Sequence, residues 1–183
     1  MTKNPSDYCR ACKIALAKEK YNEIPVCKKC KAKLSGGTKK KRKPIAKKGK
    51  SEYQKALDKC KTAFQRLRRA ESANEHGMCE CVNGHYKHWK KCDGGHYMSA
   101  TYLNTCFVKM NVNPQSKLSN KYMGDGRIEK EYREWLVKKY GEKKVVELER
   151  LAHVPRKYSI AELDHMAEIF RKEANKVIKE KGI

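Results

Sequence analysis

The first sustained apolar rhythm in the chain begins at Ser51. Tyr53, Ala56, Leu57, Cys60, Phe64 and Leu67 recur at three- and four-residue steps, which lays one apolar stripe along an α-helix. Ser51 and Gln54 occupy the ends of a capping-box pattern, so the spacing predicts a helix from Glu52 to Ser72, with Cys60 as a small core residue. A second stripe runs through Ile128, Tyr132, Trp135, Leu136 and Tyr140 and stops at Gly141. A third takes in Val145, Leu148 and Leu151 and ends before Pro155. The last opens on a second capping-box pattern, Ser159 to Glu162, and continues through Leu163, Met166, Phe170, Val177 and Ile178. These stripes are core-facing and carry no chemistry. Between the first and second, residues 77–126 lose the helical period and collect glycines, four of the nine cysteines and, with the flanking His76, four of the six histidines.

Upstream of Ser51 no such stripe exists. Residues 1–34 contain few large apolar side chains, and Ser35-Gly36-Gly37-Thr38 leads into a stretch where eight of the twelve residues Lys39–Lys50 are Lys or Arg. Nothing there can bury an apolar face, so residues 35–50 are expected to be a flexible basic linker. The run Lys39, Lys40, Lys41, Arg42 and Lys43 also fits a nuclear-localisation pattern.

Charge gives the basic run its meaning. The 183 residues carry 44 Lys and Arg against 21 Asp and Glu, a formal net charge of +23. Residues 1–50 alone hold 17 basic and 3 acidic side chains. Self-repulsion of this size opposes a compact state, whereas each phosphate neutralised on a nucleic acid releases counterions and favours binding. Nucleic acid is therefore the favoured partner over a solubilising tail or an anionic membrane surface. No apolar run approaches the roughly 20 residues of a membrane span, and the first residues do not read as a secretory signal. The expectation is a cytoplasmic protein with no membrane partner.

Nine cysteines, an odd number without an export signal, point away from a disulfide framework and toward metal binding or reduced thiols. Cys9-x2-Cys12 and Cys27-x2-Cys30 form two knuckles separated by fourteen residues. Two thiolates per knuckle, closed across a short hairpin, make the tetrahedral site that structural zinc prefers. Residues 1–34 are thus expected to be a zinc-ribbon module in which the ion does the work of a core.

Residues 77–126 hold the side chains suited to catalysis. Asp93, followed by His96 and a later Asn120, suits metal-assisted phosphodiester hydrolysis. Carboxylate and carboxamide oxygens hold a hard cation such as Mg²⁺ or Mn²⁺, and a neutral imidazole takes a proton from water. Asp93-Gly94-Gly95-His96 by itself also reads as a turn. Arg66, Arg68 and Arg69, near the end of the first predicted helix, would join Lys39–Lys43 in gripping backbone phosphates.

The block Asp93-Gly94-Gly95-His96-Tyr97, followed by Phe107 and by Asn111-Val112-Asn113-x-Gln115-x3-Ser119-Asn120, resembles the NinG family of lambdoid phages, also called Rap, a recombination nuclease. The likeness extends to the N-terminal knuckles, the basic linker, Ser51-x-Tyr53 and Tyr140-Gly141. It implies a His-Me finger (HNH-like) endonuclease acting on branched DNA such as Holliday junctions, displacement loops and flaps, with an active segment similar to that of endonuclease VII-type phage resolvases. Asp93 and Asn120 would then be the Mg²⁺ ligands, His96 the general base, and Asn111 its orienting residue. The implied architecture is α+β and mostly helical: a zinc ribbon (1–34), the linker (35–50), then a helical domain (51–183) carrying a ββα-metal finger at about 77–126. Its strands are expected near Gly95–Tyr102 and Phe107–Val112, and its helix from about Pro114 to Met123. Two symmetric cuts at a four-way junction call for a homodimer, recombination proteins would be partners, and a phage-encoded chain would work in the host cytoplasm.

Two departures stand out. Where the resembled family has Asn-Ile-His, this chain has Asn111-Val112-Asn113, and Ser116 and Ser119 replace the cysteine pair expected before the late Asn. Either the finger has no zinc, or a second zinc draws on Cys79, Cys81 and Cys92, with Cys106, His85 and His88 as further donors. Without zinc, Val112, Leu118, Tyr122 and Met123 are the side chains expected to hold the Asn120 helix. The same departures open a second reading, a non-catalytic zinc-ribbon DNA-binding accessory with a degenerate finger. An RNA reader is less favoured, since no aromatic pair at strand spacing offers a stacking platform.

Overall fold

The computed structural model describes Gly49–Ile183, together with two short strands nearer the N-terminus, β1 (Lys20–Tyr21) and β2 (Ile24–Pro25). The chain divides into two units, Met1–Lys48 and Gly49–Ile183. In the first, β1 and β2 pair antiparallel, Lys20 with Pro25 and Tyr21 with Ile24. The zinc ligands Cys9, Cys12, Cys27 and Cys30 and the basic run Lys39–Lys43 lie outside the described residues.

The second unit is mostly helical. In chain order it runs α1 (Glu52–Ser72), β3 (Met78–Glu80), β4 (Tyr86–His88), β5 (Asp93–His96), α2 (Leu103–Cys106), β6 (Val112–Gln115), α3 (Lys117–Lys121), α4 (Gly126–Tyr140), α5 (Glu142–Ala152) and α6 (Ile160–Lys181). β3 pairs antiparallel with β4 and β5 with β6, and each pair is a two-stranded sheet. No described helix is long and apolar enough to cross a membrane.

α1 and α6 form the frame. Ala56, Leu57, Cys60 and Ala63 of α1 meet Leu163 and Ala167 of α6 and Tyr158 before it, and Phe64, Phe107 and Phe170 cluster beside them. The apolar stripe read from the sequence is thus the buried one. Ser159 and Glu162 complete a capping box on α6. At α1 only half of the box exists: Ser51 Oγ accepts from the Gln54 backbone at 3.2 Å, while the Gln54 amide donates to Asp58 at 2.7 Å. The far end of α6 supports the end of α1. Lys181 Nζ donates to the carbonyls of Ala70, Glu71 and Ala73 at 3.1, 2.7 and 2.6 Å, filling acceptors that a helix C-terminus leaves free.

The second apolar cluster joins Tyr97 and Val82 to Tyr132 and Leu136 of α4 and to Val145 and Leu148 of α5. Gly141, at φ 87°, turns the chain between these helices in a conformation that favours glycine. Tyr132 is fully buried and donates its hydroxyl to the Gly95 carbonyl at 3.1 Å, which fixes β5 against α4.

The two expected finger strands shift. They fall at Asp93–His96 and Val112–Gln115; of the residues expected to be strand, 97–102 hold bends and turns and 109–111 a 3-10 turn, with α2 between them. The cause is Asn111. Its Oδ1 accepts from Met98 N–H at 2.7 Å and its Nδ2 donates to the carbonyls of Met98 and Thr105, both at 3.0 Å, so the connection folds back on this buried amide. The helix that follows, α3, is only five residues long, shorter than the expected 114–123.

Candidate active site

β5 and β6 set the register of the site. Asp93 stands opposite Gln115, Gly94 opposite Pro114, Gly95 opposite Asn113 and His96 opposite Val112. Opposed residues of an antiparallel pair share a face, and faces alternate along each strand. Asp93, Gly95, Asn113 and Gln115 therefore share one face, and Gly94, His96, Val112 and Pro114 the other.

Neither glycine of the Asp93–His96 run serves a turn, for both lie in β5 with φ outside the left-handed region. What they supply is room. A Cβ on Gly94 would sit 2.8 Å from Gln65 Cβ on α1. A Cβ on Gly95 would fall 1.5 Å from Gln115 Oε1 and 3.0 Å from Asn120 Oδ1. The turn reading of this run is corrected accordingly. Gly95→Ala is expected to displace the Gln115 and Asn120 side chains and to cost about 1–3 kcal/mol through overpacking, read as a lower urea midpoint at unchanged m-value.

α3 carries Asn120 to this face. Asn120 Nδ2 donates to Asp93 Oδ2 at 3.1 Å, so the two expected cation ligands are in contact. Asn120 also lines an open cavity of about 520 Å³ with His96, Tyr97, Met98, Ser99, Tyr102, Met123 and Glu129. Asn120 is thus the side chain shared by Asp93 and by the cavity of His96.

His96 is partly buried, and its Nε2 lies 3.1 Å from the Cys106 carbonyl, to which it donates. That bond fixes the tautomer and leaves Nδ1 as the proton acceptor. Burial pushes the imidazole down to about 4, the Cys106 bond opposing this and the charge of Lys61 adding to it. The ring is therefore neutral at physiological pH, as a base must be.

Asn111 does not reach His96. It is completely buried, and its side-chain hydrogen bonds all go to backbone groups of Met98 and Thr105. Its expected orienting role is corrected to that of a clamp on the cavity wall.

Serines stand where zinc-binding cysteines were expected, and a polar link stands with them. Ser116 caps α3, accepting from Ser119 N–H at 3.1 Å, and the two hydroxyls are 2.9 Å apart. Asn83 Nδ2 donates to Ser119 Oγ at 2.9 Å and ties α3 to the loop after β3. The apolar anchors expected for this helix are corrected in part. Leu118 and Tyr122 are 68% and 47% exposed, whereas Val112 is buried and Met123 Sδ accepts from Gln115 Nε2 at 3.1 Å.

Cys79, Cys81 and Cys92 do gather, in an apolar cluster with Ala73 and Trp89. The Cys81 and Cys92 sulfurs are 3.7 Å apart, and burial pushes the Cys79 and Cys81 thiols up to about 12. Here the thiols donate to carbonyls, Cys79 to that of Arg69 and Cys92 to those of Lys87 and His88. Among the described residues no three or more His, Cys, Asp or Glu side chains are grouped to hold a metal.

The arginine grip needs the firmest correction. Arg68 is buried, its Nε donating to the Val112 carbonyl at 3.0 Å and its guanidinium pairing with Glu71. Arg69 donates to the carbonyls of Gln65 and Cys92 at 3.3 and 2.9 Å. Arg68 thus holds α1 to β6 and Arg69 holds it to the segment just before β5, while Arg66, partly exposed, makes no such bond. Exposed cations flank Asn120 instead: Lys117 and Lys121 on α3. Asn83, Lys117 and Lys121 escaped the sequence reading, and Gln115 entered it only as a letter of the resembled motif. Only register and helix phase reveal them.

A family model described as Bacteriophage Lambda NinG protein matches residues 1–180. The chain belongs to that family. No curated protein and no solved structure matches it. Membership places this NinG-family chain in a phage, recombination-related setting.

Proposed function

We propose that this NinG-family protein is a divalent-cation-dependent, structure-selective DNA endonuclease that hydrolyses phosphodiesters in branched recombination intermediates. The observation that carries the reading is Asn120, bonded to Asp93 on one side and lining the cavity of His96 on the other. The donor set suits a hard cation, with one carboxylate, the Asn120 carboxamide and a buried carboxamide oxygen on Gln115 that has no hydrogen-bond partner. Asp93 and Asn120 would hold Mg²⁺ or Mn²⁺, which when bound stabilises charge on the scissile phosphate and the leaving oxygen.

The rest is done by the chain. His96, neutral and held by its bond to Cys106, accepts a proton from water at Nδ1. Asn111 keeps the 98–105 connection folded so that the cavity wall stays in place. Lys117, Lys121 and Arg66 meet backbone phosphates, along with Lys39–Lys43 of the linker, and such contacts position DNA without reading sequence. Branch preference comes from DNA shape and its ease of bending. Cys9, Cys12, Cys27 and Cys30 would hold one structural zinc, and a dimer would make the paired cuts.

The test is incubation of the full chain with labelled four-way junction, flap and linear duplex DNA over a range of Mg²⁺ and Mn²⁺. Cleavage of branched DNA with either cation, abolished by EDTA, is the expected result. Salt-sensitive binding of all three DNAs with no cleavage at any cation concentration would overturn it in favour of the non-catalytic accessory. Light scattering with and without junction is expected to show the dimer.

A further inference from the structure

We infer that Gln115 is a third oxygen donor to the divalent cation held by Asp93 and Asn120, an inference that rests on the nuclease reading above. Gln115 is only 1% exposed, yet its Oε1 has no hydrogen-bond partner. A buried polar oxygen left unpaired is costly, and native structures keep few of them. Its amide nitrogen is occupied by Met123 Sδ at 3.1 Å, which turns the oxygen the other way. That oxygen lies over Gly95, where a Cβ would stand 1.5 Å from it and 3.0 Å from Asn120 Oδ1.

The strand register makes the grouping specific. Gln115 is the cross-strand partner of Asp93, so both side chains leave the same face of the β5–β6 pair. Asn120 spends its nitrogen on Asp93, which leaves its own oxygen free toward Gly95. Two carboxamide oxygens thus meet above a glycine whose missing side chain makes the space, and the Asp93 carboxylate is bonded to the amide that carries one of them. Oxygen-only donors of mixed charge are what Mg²⁺ and Mn²⁺ take, with water filling the remaining positions.

The experiment is Mn²⁺ binding to the full, DNA-free chain, followed by electron paramagnetic resonance and by the shift in thermal midpoint on adding Mn²⁺. Gln115→Met keeps the length of the side chain and removes the oxygen. Its Mn²⁺ affinity is expected to fall about 10-fold or more, with a metal-free midpoint equal to or above that of the parent. Gln115→Glu, which replaces the donor by a charged one, is expected to bind Mn²⁺ more tightly than the parent. It also serves if the methionine variant does not fold. Asp93→Asn is expected to lose the same signal. Should the parent bind Mn²⁺ through Asp93 while both Gln115 variants bind as it does, this inference fails and the nuclease reading stands. If the parent binds no Mn²⁺, or if Asp93→Asn binds as well as the parent, both fall together.

Discussion

His96→Ala is expected to slow cleavage of branched DNA about 10²–10⁴-fold, the usual contribution of a positioned general base. Junction affinity should stay close to that of the parent, because His96 makes its hydrogen bond within the protein, to the Cys106 carbonyl. A base that is already neutral also fixes the acid limb of the rate profile. Burial lowers the imidazole from 6.5 to about 4, so kcat/KM is expected to hold between pH 7 and about 5 and to fall only as His96 itself protonates. The same shift bears on stability. Between pH 6.5 and about 4 the unfolded chain binds a proton on this residue that the folded chain refuses. The contribution is complete above pH 6.5 and is lost as the pH falls toward 4. Thermal unfolding of parent and His96→Ala at pH 7 and pH 4.5 should therefore show the smaller acid loss in the variant. Equal cleavage rates in the two proteins would remove His96 from the chemistry.

The helices were legible because their signal is local. Tyr53 to Leu67 and Leu163 to Ile178 repeat at the helical period, and both stripes end up in the buried frame of α1 and α6. The caps were nearly as readable, with Ser159 and Glu162 closing a full box and Ser51 half of one. The strands of the finger were not. β5 and β6 are four residues each, too short to show an alternation, and their limits are set by Asn111, whose amide bonds backbone thirteen and six residues before it and so folds the connection between the two strands.

Asp93 and Asn120 were nominated by chemistry and resemblance, and the fold places them in hydrogen-bond contact. What their own letters could not convey is the company they keep. Gln115 reads as one more polar residue until the register sets it opposite Asp93. Asn83 reads as loop until it bonds Ser119. Ser116 and Ser119 looked like a loss, yet they cap α3 and link it to its neighbour, so the segment carrying Asn120 is held by hydroxyls and an amide at the place where the resembled pattern has thiolates. The arginines failed for the opposite reason. A basic cluster at a helix end signals phosphate only if it faces solvent, and helix phase turns Arg68 inward.

Arg68→Ala should therefore cost stability and leave DNA binding nearly untouched. Its guanidinium is buried beside Glu71, and it also donates to the Val112 carbonyl at the start of β6. Removing one member of a buried pair strands the other, at about 3–5 kcal/mol. Glu71 keeps a second partner in Lys109 at 2.6 Å, which places the loss toward the lower end of that range. Burial works against the Glu71 carboxylate, and the bonds and charges of Lys109 and Arg68 hold it below its ordinary range all the same. With Arg68 gone, the Glu71 pKa should rise toward the value its burial favours. Urea unfolding of Arg68→Ala is expected to show the full loss, and Arg66→Ala, half-exposed on the same helix, only about 0.5 kcal/mol or less. DNA affinity measured against salt separates the two roles. A residue that neutralises one phosphate lowers the salt slope by about 1 when removed, which is the result expected for Arg66, Lys117 or Lys121. For Arg68 the slope should not move, because a guanidinium already engaged by a carboxylate and a backbone carbonyl in the interior has no counterion to release.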